Sequence, residues 1–487
     1  MALTQSQREI AHLFRRAGFG ATRADIATWA PQGRAAAVKF LVDYGTVDNS
    51  AVEAEVATLD VPNNTGRMTR AWLLRMSHTA RPLEEKMTLF WHHLFATELG
   101  KVDNPLLMWQ QNGLFRQNAL PNWRSMLYAV SKDPAMLVYL DNALSRKEHP
   151  NENYARELME LYTLGQDVLY DEVDVRESAR AFTGWTLDYR NKEIAAVIAE
   201  RDAALRVAGL TDAQKRQISD SYQAKIYQVT PVYLFQPSFH DIGLKTFLDK
   251  QGNLDGSDII DNIAGQDEAA GYICAKLYNW FVARGTVPDD MLNSLVSVYF
   301  DTKYDLKEVV RSILLSDYFY AADNYLVKIK SPTEYIAGLV RQLEMKTDGN
   351  SMVNATTALG QTLFQPPDPA GWPGQKNWIN GNTIIGRTNQ ATTYSTRRPT
   401  ATAVESFDPK PFITAANVSE AGPIVDLFAD LLIDGSISTP EKNILIEYMH
   451  TDDSGNYKLF TLTDANIDKK VRGLVFLLLS SPAYTLA

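Results

Sequence analysis

The stretch Leu83-Glu84-Glu85-Lys86-Met87-Thr88-Leu89-Phe90-Trp91-His92-His93-Leu94-Phe95 decides the fold class. Leu83, Met87, Phe90, Trp91, Leu94 and Phe95 recur at steps of three and four, which predicts a helix with one wide apolar face. Pro82 suits the first turn, where its missing N–H has no partner to lose, and Glu84 and Glu85 complement the positive end of the dipole. His92 falls nearly opposite the apolar face, with Glu85, while His93 falls between the two faces. Leu89 on the side of His92 predicts packing on both faces, and therefore a buried His92.

The same spacing continues along the chain. Asn151 can cap a second helix whose apolar stripe is Tyr154, Leu158, Leu161 and Tyr162, ended by Gly165. A third helix runs from Asp174 to Phe182 and closes at Thr183-Gly184-Trp185. Residues 191–228 are charged and alanine-rich, which predicts a protruding helical hairpin inserted between an N-terminal helical region, 1–190, and a C-terminal one, 229–487. A short β-hairpin is expected next, with strands at 232–235 and 245–248. Helices resume at about 256–284, 288–299, 305–316 and 331–344, and terminal helices follow at about 422–433, 439–449 and 466–480. Between them, residues 365–387 open on Gln365-Pro366-Pro367-Asp368-Pro369-Ala370-Gly371-Trp372-Pro373-Gly374, which can be neither helix nor central strand. The expected fold is mostly α: a multihelix globular assembly with a small β-hairpin and a helical-hairpin insertion.

Composition narrows the function classes. The 487 residues are 45% hydrophobic and 22% charged, ordinary for a folded protein and long enough for more than one packed subdomain. A net charge of −10 argues against a broad nucleic-acid surface, which needs clustered Lys and Arg. Cys274 is the only cysteine, so neither an intramolecular disulfide nor a cysteine zinc cluster can form. No apolar run approaches the roughly 20 residues of a membrane-crossing helix. The first residues carry no secretory signal, so a soluble, cytoplasmic chain without an integral membrane segment is expected.

Several phrases carry a family resemblance. They are Leu13-Phe14-Arg15-Arg16-Ala17-Gly18-Phe19-Gly20, Phe90-Trp91-His92-His93-Leu94-Phe95-Ala96-Thr97 and Asn151-Glu152-Asn153-Tyr154-Ala155-Arg156-Glu157. Ala179-Arg180-Ala181-Phe182-Thr183-Gly184-Trp185, His240-Asp241 with Lys245-Thr246, Ser331-Pro332-Thr333-Glu334 and the Trp372 loop complete the set. In this order, from about residue 11 to Ser481-Pro482-Ala483-Tyr484, they resemble the bacterial domain of unknown function 1800. The resemblance implies no activity. Many members look exported, and they often neighbour sulfatase-like proteins of unassigned role. The family commonly shows Trp-His-Asn-His-Phe where this chain has Trp91-His92-His93-Leu94-Phe95, so the second histidine is displaced by one position or replaced by Leu94.

Four groups of residues could carry chemistry. Asn153, Glu157 and Glu160 share a helix face, and two carboxylates three apart can bracket a metal or divide acid and base roles. Arg156, four from both Glu152 and Glu160, offers salt bridges as the plainer account. His92 is either a metal ligand with Glu157 and Glu160 or a hydrogen-bonded core histidine. His240-Asp241 is either catalytic or an Asp–Gly turn with Gly243. Trp372 and Trp378 could bind a sugar or peptide, or pin their loop to the core. Phosphate-binding Gly-rich loops, Gly-x-Ser-x-Gly and His-Glu-x-x-His are absent from the sequence. Two readings stand. One is a metal-assisted or acid–base, hydrolase-like enzyme using Glu157, Glu160, His92, His240 and Asp241, with a divalent metal as its cofactor. The other is a binding or assembly module that meets a protein or glycan partner through the Trp loop and the insertion.

Overall fold

The structure is a computed structural model describing residues 3–59, 61, 64–166, 168–188, 192–211, 213–215, 217–218, 221–222, 225 and 231–487. Helices dominate the described residues, and the strands are four short segments paired into two antiparallel ribbons. The fold is mostly α, as the apolar spacing predicts.

At its centre lies the Pro82–Leu94 helix, every residue of which is buried except His93. Its apolar face stacks Trp91 on Phe95 and Trp123, with ring centroids 5.8 Å apart in both contacts, and Trp91 Nε1 donates to the Ala119 carbonyl at 3.0 Å. The opposite face is buried too, so its charged side chains need partners inside the protein. Glu85, 0% exposed, accepts hydrogen bonds from Trp72 Nε1 at 2.9 Å and from Arg116 Nε and Nη2 at 2.6 and 3.0 Å. That one carboxylate ties the Thr65–His78 and Pro105–Gln117 helices to the central one. Lys86 pairs with Glu334 in the first turn of the Pro332–Gln342 helix.

Five local expectations need correction. The expected hairpin of strands 232–235 and 245–248 does not form. Val232–Phe235 pairs instead with Trp185–Asp188, and Lys245–Phe247 pairs with Lys250–Gly252. Trp185, read as the end of a helix, therefore begins a strand. The switch is made at Gly184, with φ of +82°, where a Cβ would meet the Gln236 carbonyl oxygen at 2.8 Å. Strand ends Asp188 and Val232 are register partners, so the intervening chain leaves and returns at one place. Its outgoing arm is the Lys192–Leu205 helix, while much of the expected return arm lies outside the described residues.

The second helix is α-helical only over Asn153–Glu157 and widens to a π turn at Leu158–Thr163. The expected helix at 256–284 is two helices, Gly256–Ala264 and Asp267–Phe281, divided at Gly265 and Gln266. The loop expected to reach residue 387 ends earlier, because Asn380 caps the Gly381–Thr396 helix by accepting the Thr383 N–H at 3.0 Å. Among the described residues no helix is long and apolar enough to cross a membrane.

The central helix generates a direct test. Glu85→Ala leaves the Arg116 charge and the Trp72 N–H without their partner, and should lower unfolding free energy in urea by about 3–5 kcal/mol. The Glu85→Gln/Arg116→Met double variant, which removes both charges, should recover a large part of that loss. A Glu85→Ala loss under about 1 kcal/mol, the range of exposed pairs, would contradict the role assigned to this carboxylate.

Candidate functional site

His93 lines a cavity of about 420 Å³. Segments far apart in sequence meet around it. The central helix contributes Leu89, Phe90 and His93, and the Asp267–Phe281 helix contributes Lys276, Asn279 and Trp280. Arg284 follows that helix, Lys328 precedes the Pro332–Gln342 helix, Glu334 lies in its first turn, and Trp378 comes from the Pro/Gly loop. The rings of Trp280 and Trp372 lie roughly parallel to the His93 imidazole, with centroids 6.1 and 6.4 Å away. Gly371 has φ of +79°, and a Cβ there would meet the His93 carbonyl oxygen at 2.6 Å and Nδ1 at 3.0 Å. The loop lies against the histidine only because this position lacks a side chain.

The electrostatics of the cavity are one-sided. Lys86 is spent on Glu334, which also accepts the Ser331 N–H at 2.8 Å. Against a burial that would raise it, Lys86 and Lys328 hold the Glu334 carboxyl below the ordinary range. Lys328 Nζ donates to the carbonyls of Asn279, at 2.7 Å, and Trp280. Burial, followed by the positive charge of Arg16, holds Lys328 well below the usual lysine range. Burial, followed by Lys276, Arg284 and Lys328, lowers His93 to about 4. Its imidazole is therefore neutral near pH 7.

Of the residues singled out from sequence, Trp378 lines this cavity and Trp372 stacks beside His93, while His92, Glu157, Glu160, His240 and Asp241 are not among its lining residues. His92, 1% exposed, packs its ring on Trp72, Phe364 and Trp372, and its Nε2 accepts the Phe364 N–H at 3.1 Å. A neutral imidazole has one lone pair, and this bond uses it, leaving the proton on Nδ1 and nothing for a cation. Glu157 is half-buried, and burial followed by the charge of Glu160 raises its pKa. Arg156 turns to Glu152 and Glu172, at 3.2 and 2.6 Å, rather than to Glu160. Among the described residues no three His, Cys, Asp or Glu side chains are grouped to hold a metal.

His240 Nδ1 lies 2.9 Å from the Thr183 carbonyl oxygen, fixing the loop to the end of the Glu172–Phe182 helix. Asp241 accepts from Arg180 Nε and from the Gly243 N–H, both at 2.7 Å, which is the turn arrangement. Arg180 accordingly holds the Asp241 carboxyl below its ordinary range. Trp372 and Trp378 are 5% and 8% exposed. They are walls rather than an open platform, and Trp378 divides the cavity from a recess of about 280 Å³.

Sequence reasoning missed Trp280, Lys328, Arg284 and the cavity role of His93. A signal was present. Lys276 interrupts an apolar run, and Lys328 and Lys330 alternate immediately before Ser331-Pro332-Thr333-Glu334. A larger groove of about 600 Å³ lies at Asn122, Tyr128 and Tyr304, but it is open, and its Arg124 is already engaged by Asp261 at 2.5 Å. Comparison with known proteins gives one family model, described as Protein of unknown function (DUF1800), which matches residues 12–486. No curated protein and no solved structure matches significantly.

The enclosed His92 predicts an acid-sensitive fold. Burial, followed by the neighbouring His93, lowers His92 to about 3, so the unfolded chain binds a proton here that the folded chain refuses. Stability is then lost as pH falls, by about 2–3 kcal/mol from this group between about pH 6.5 and 4.5. His92→Gln keeps an acceptor for the Phe364 N–H and should flatten that part of the profile in urea melts. His92→Ala should lose about 3–5 kcal/mol even at pH 7. A His92→Gln profile as steep as the wild type would contradict the assignment.

Proposed function

The chain belongs to that family, and from the cavity we propose that it binds a small organic ligand and moves a proton at His93. The observation that supports this is the convergence of His93, Trp280, Lys328, Arg284 and Glu334 on one cavity of about 420 Å³. Cavities of a few hundred Å³ with apolar walls and a few convergent polar groups are where small ligands bind. Leu89, Phe90 and Trp280 offer carbon surface to a ligand skeleton. A neutral imidazole can accept a proton without first losing one, and groups with strongly perturbed pKa values gather at functional sites.

The cations beside His93 disfavour a lasting imidazolium but stabilise negative charge developing on a bound molecule. This is acid–base chemistry of a hydrolase-like kind. His93 takes the proton, Lys328 and Arg284 face the resulting negative charge, and the Trp372 loop keeps the imidazole in place. The reading needs no metal.

Soaking crystals with a library of small neutral and charged fragments tests the proposal. Bound fragments should concentrate beside His93 and Trp280, and Trp280→Ala should empty that position. Fragments that collect at the open Tyr128–Tyr304 groove and leave the His93 cavity vacant would overturn it.

A further inference from the structure

We infer that the ligand of this cavity is an organic anion, whose carboxylate or other oxyanion group meets Lys328, Arg284 and Lys276 while its carbon part lies on Phe90 and Trp280. The inference rests on the cavity being the binding site and adds the charge of what binds. Lys276, Arg284 and Lys328 line it, against the single carboxylate of Glu334. That carboxylate is already committed to Lys86 and the Ser331 N–H. The imbalance is local, because the chain as a whole carries −10.

Donors remain unused at the same place. Lys328 Nζ gives its hydrogen bonds to two backbone carbonyls, which carry only partial charge, so an anion beside it would favour the protonated form that burial disfavours. Trp280 lines the cavity, and its Nε1–H is buried without a hydrogen-bond partner. Arg284 uses Nη1 on the Pro373 carbonyl at 2.8 Å, which holds the guanidinium at the cavity without neutralising it.

Further in, Arg16 is 2% exposed and gives Nη2 to the Asn324 carbonyl at 2.6 Å, while its Nε and Nη1 are buried without partners. Its charge bears on Lys328 and on Lys86, so around the cavity Arg16, Lys86 and Lys328 share the one carboxylate of Glu334. Buried charge left unpaired destabilises a fold, and buried polar groups are nearly always satisfied. An oxyanion answers both demands, since it supplies the missing charge and accepts several N–H groups at once.

The test uses the full chain and three aromatic probes of similar size: benzoate, phenyl phosphate and the neutral benzyl alcohol. Dissociation constants are measured by titration calorimetry at fixed ionic strength. At least one anion should bind about tenfold or more tightly than benzyl alcohol. Arg284→Gln, on the exposed rim, and Lys328→Met should each weaken the anion about tenfold and leave benzyl alcohol unchanged. Arg284→Gln keeps the test decisive if Lys328→Met fails to fold. Benzyl alcohol binding as tightly as both anions would overturn this inference while sparing the cavity reading. Anion binding unchanged in both variants would also overturn it. Failure of all three probes to bind would remove both.

Discussion

Burying one helix on all its sides is the constraint from which the rest of this structure follows. The Pro82–Leu94 helix carries Glu84, Glu85, Lys86 and His92 into the interior, where water cannot satisfy them. Each partner found inside therefore positions another element. Glu85 draws in Trp72 and Arg116, Lys86 draws in Glu334, and His92 receives the N–H of Phe364. Only His93, one residue on, is left partly open. The cavity stands where this network stops.

The same network explains why a site here is chemically unusual. Lys86 consumes the carboxylate of Glu334, so Lys328 and the rim cations face His93 with little opposing charge. Deeper in the fold, Arg15 pairs with Asp434, Lys330 donates to the Tyr484 carbonyl, and Arg387 donates to that of Lys330. Several guanidinium N–H groups of Arg15, Arg16 and Arg387 are buried without partners. An interior so arranged gives up stability, and functional sites commonly do so to keep groups ready for binding or catalysis.

What the sequence revealed and concealed divides along the range of the interactions. The apolar steps of Leu83, Met87, Phe90 and Leu94 are local, and they fixed the mostly α fold and, through Leu89, the burial of His92. The pairing of Val232–Phe235 with Trp185–Asp188 is non-local, since its partner lies across the insertion, and the pattern of either strand could not reveal it. Glu157 and Glu160 are close enough for the charge of Glu160 to raise Glu157, as the helical spacing suggests, whereas the π turn beginning at Leu158 could not be read from that spacing. His93 was passed over because helix geometry placed it on neither face. That intermediate position is what lets it reach the cavity, and Lys328 and Trp280 joined it only through tertiary packing.

His93 is a neutral imidazole held beside Lys276, Arg284 and Lys328 in a cavity of about 420 Å³. The measurement that tests it most directly is a magnetic-resonance titration of histidine-labelled protein, with the His93 signal assigned through His93→Gln. In the folded chain the ring should remain neutral at pH 5.5, because its midpoint lies near 4 rather than at the ordinary 6.5. A His93 midpoint at or above 6.5 would mean an exposed or anion-paired ring, and would contradict the account.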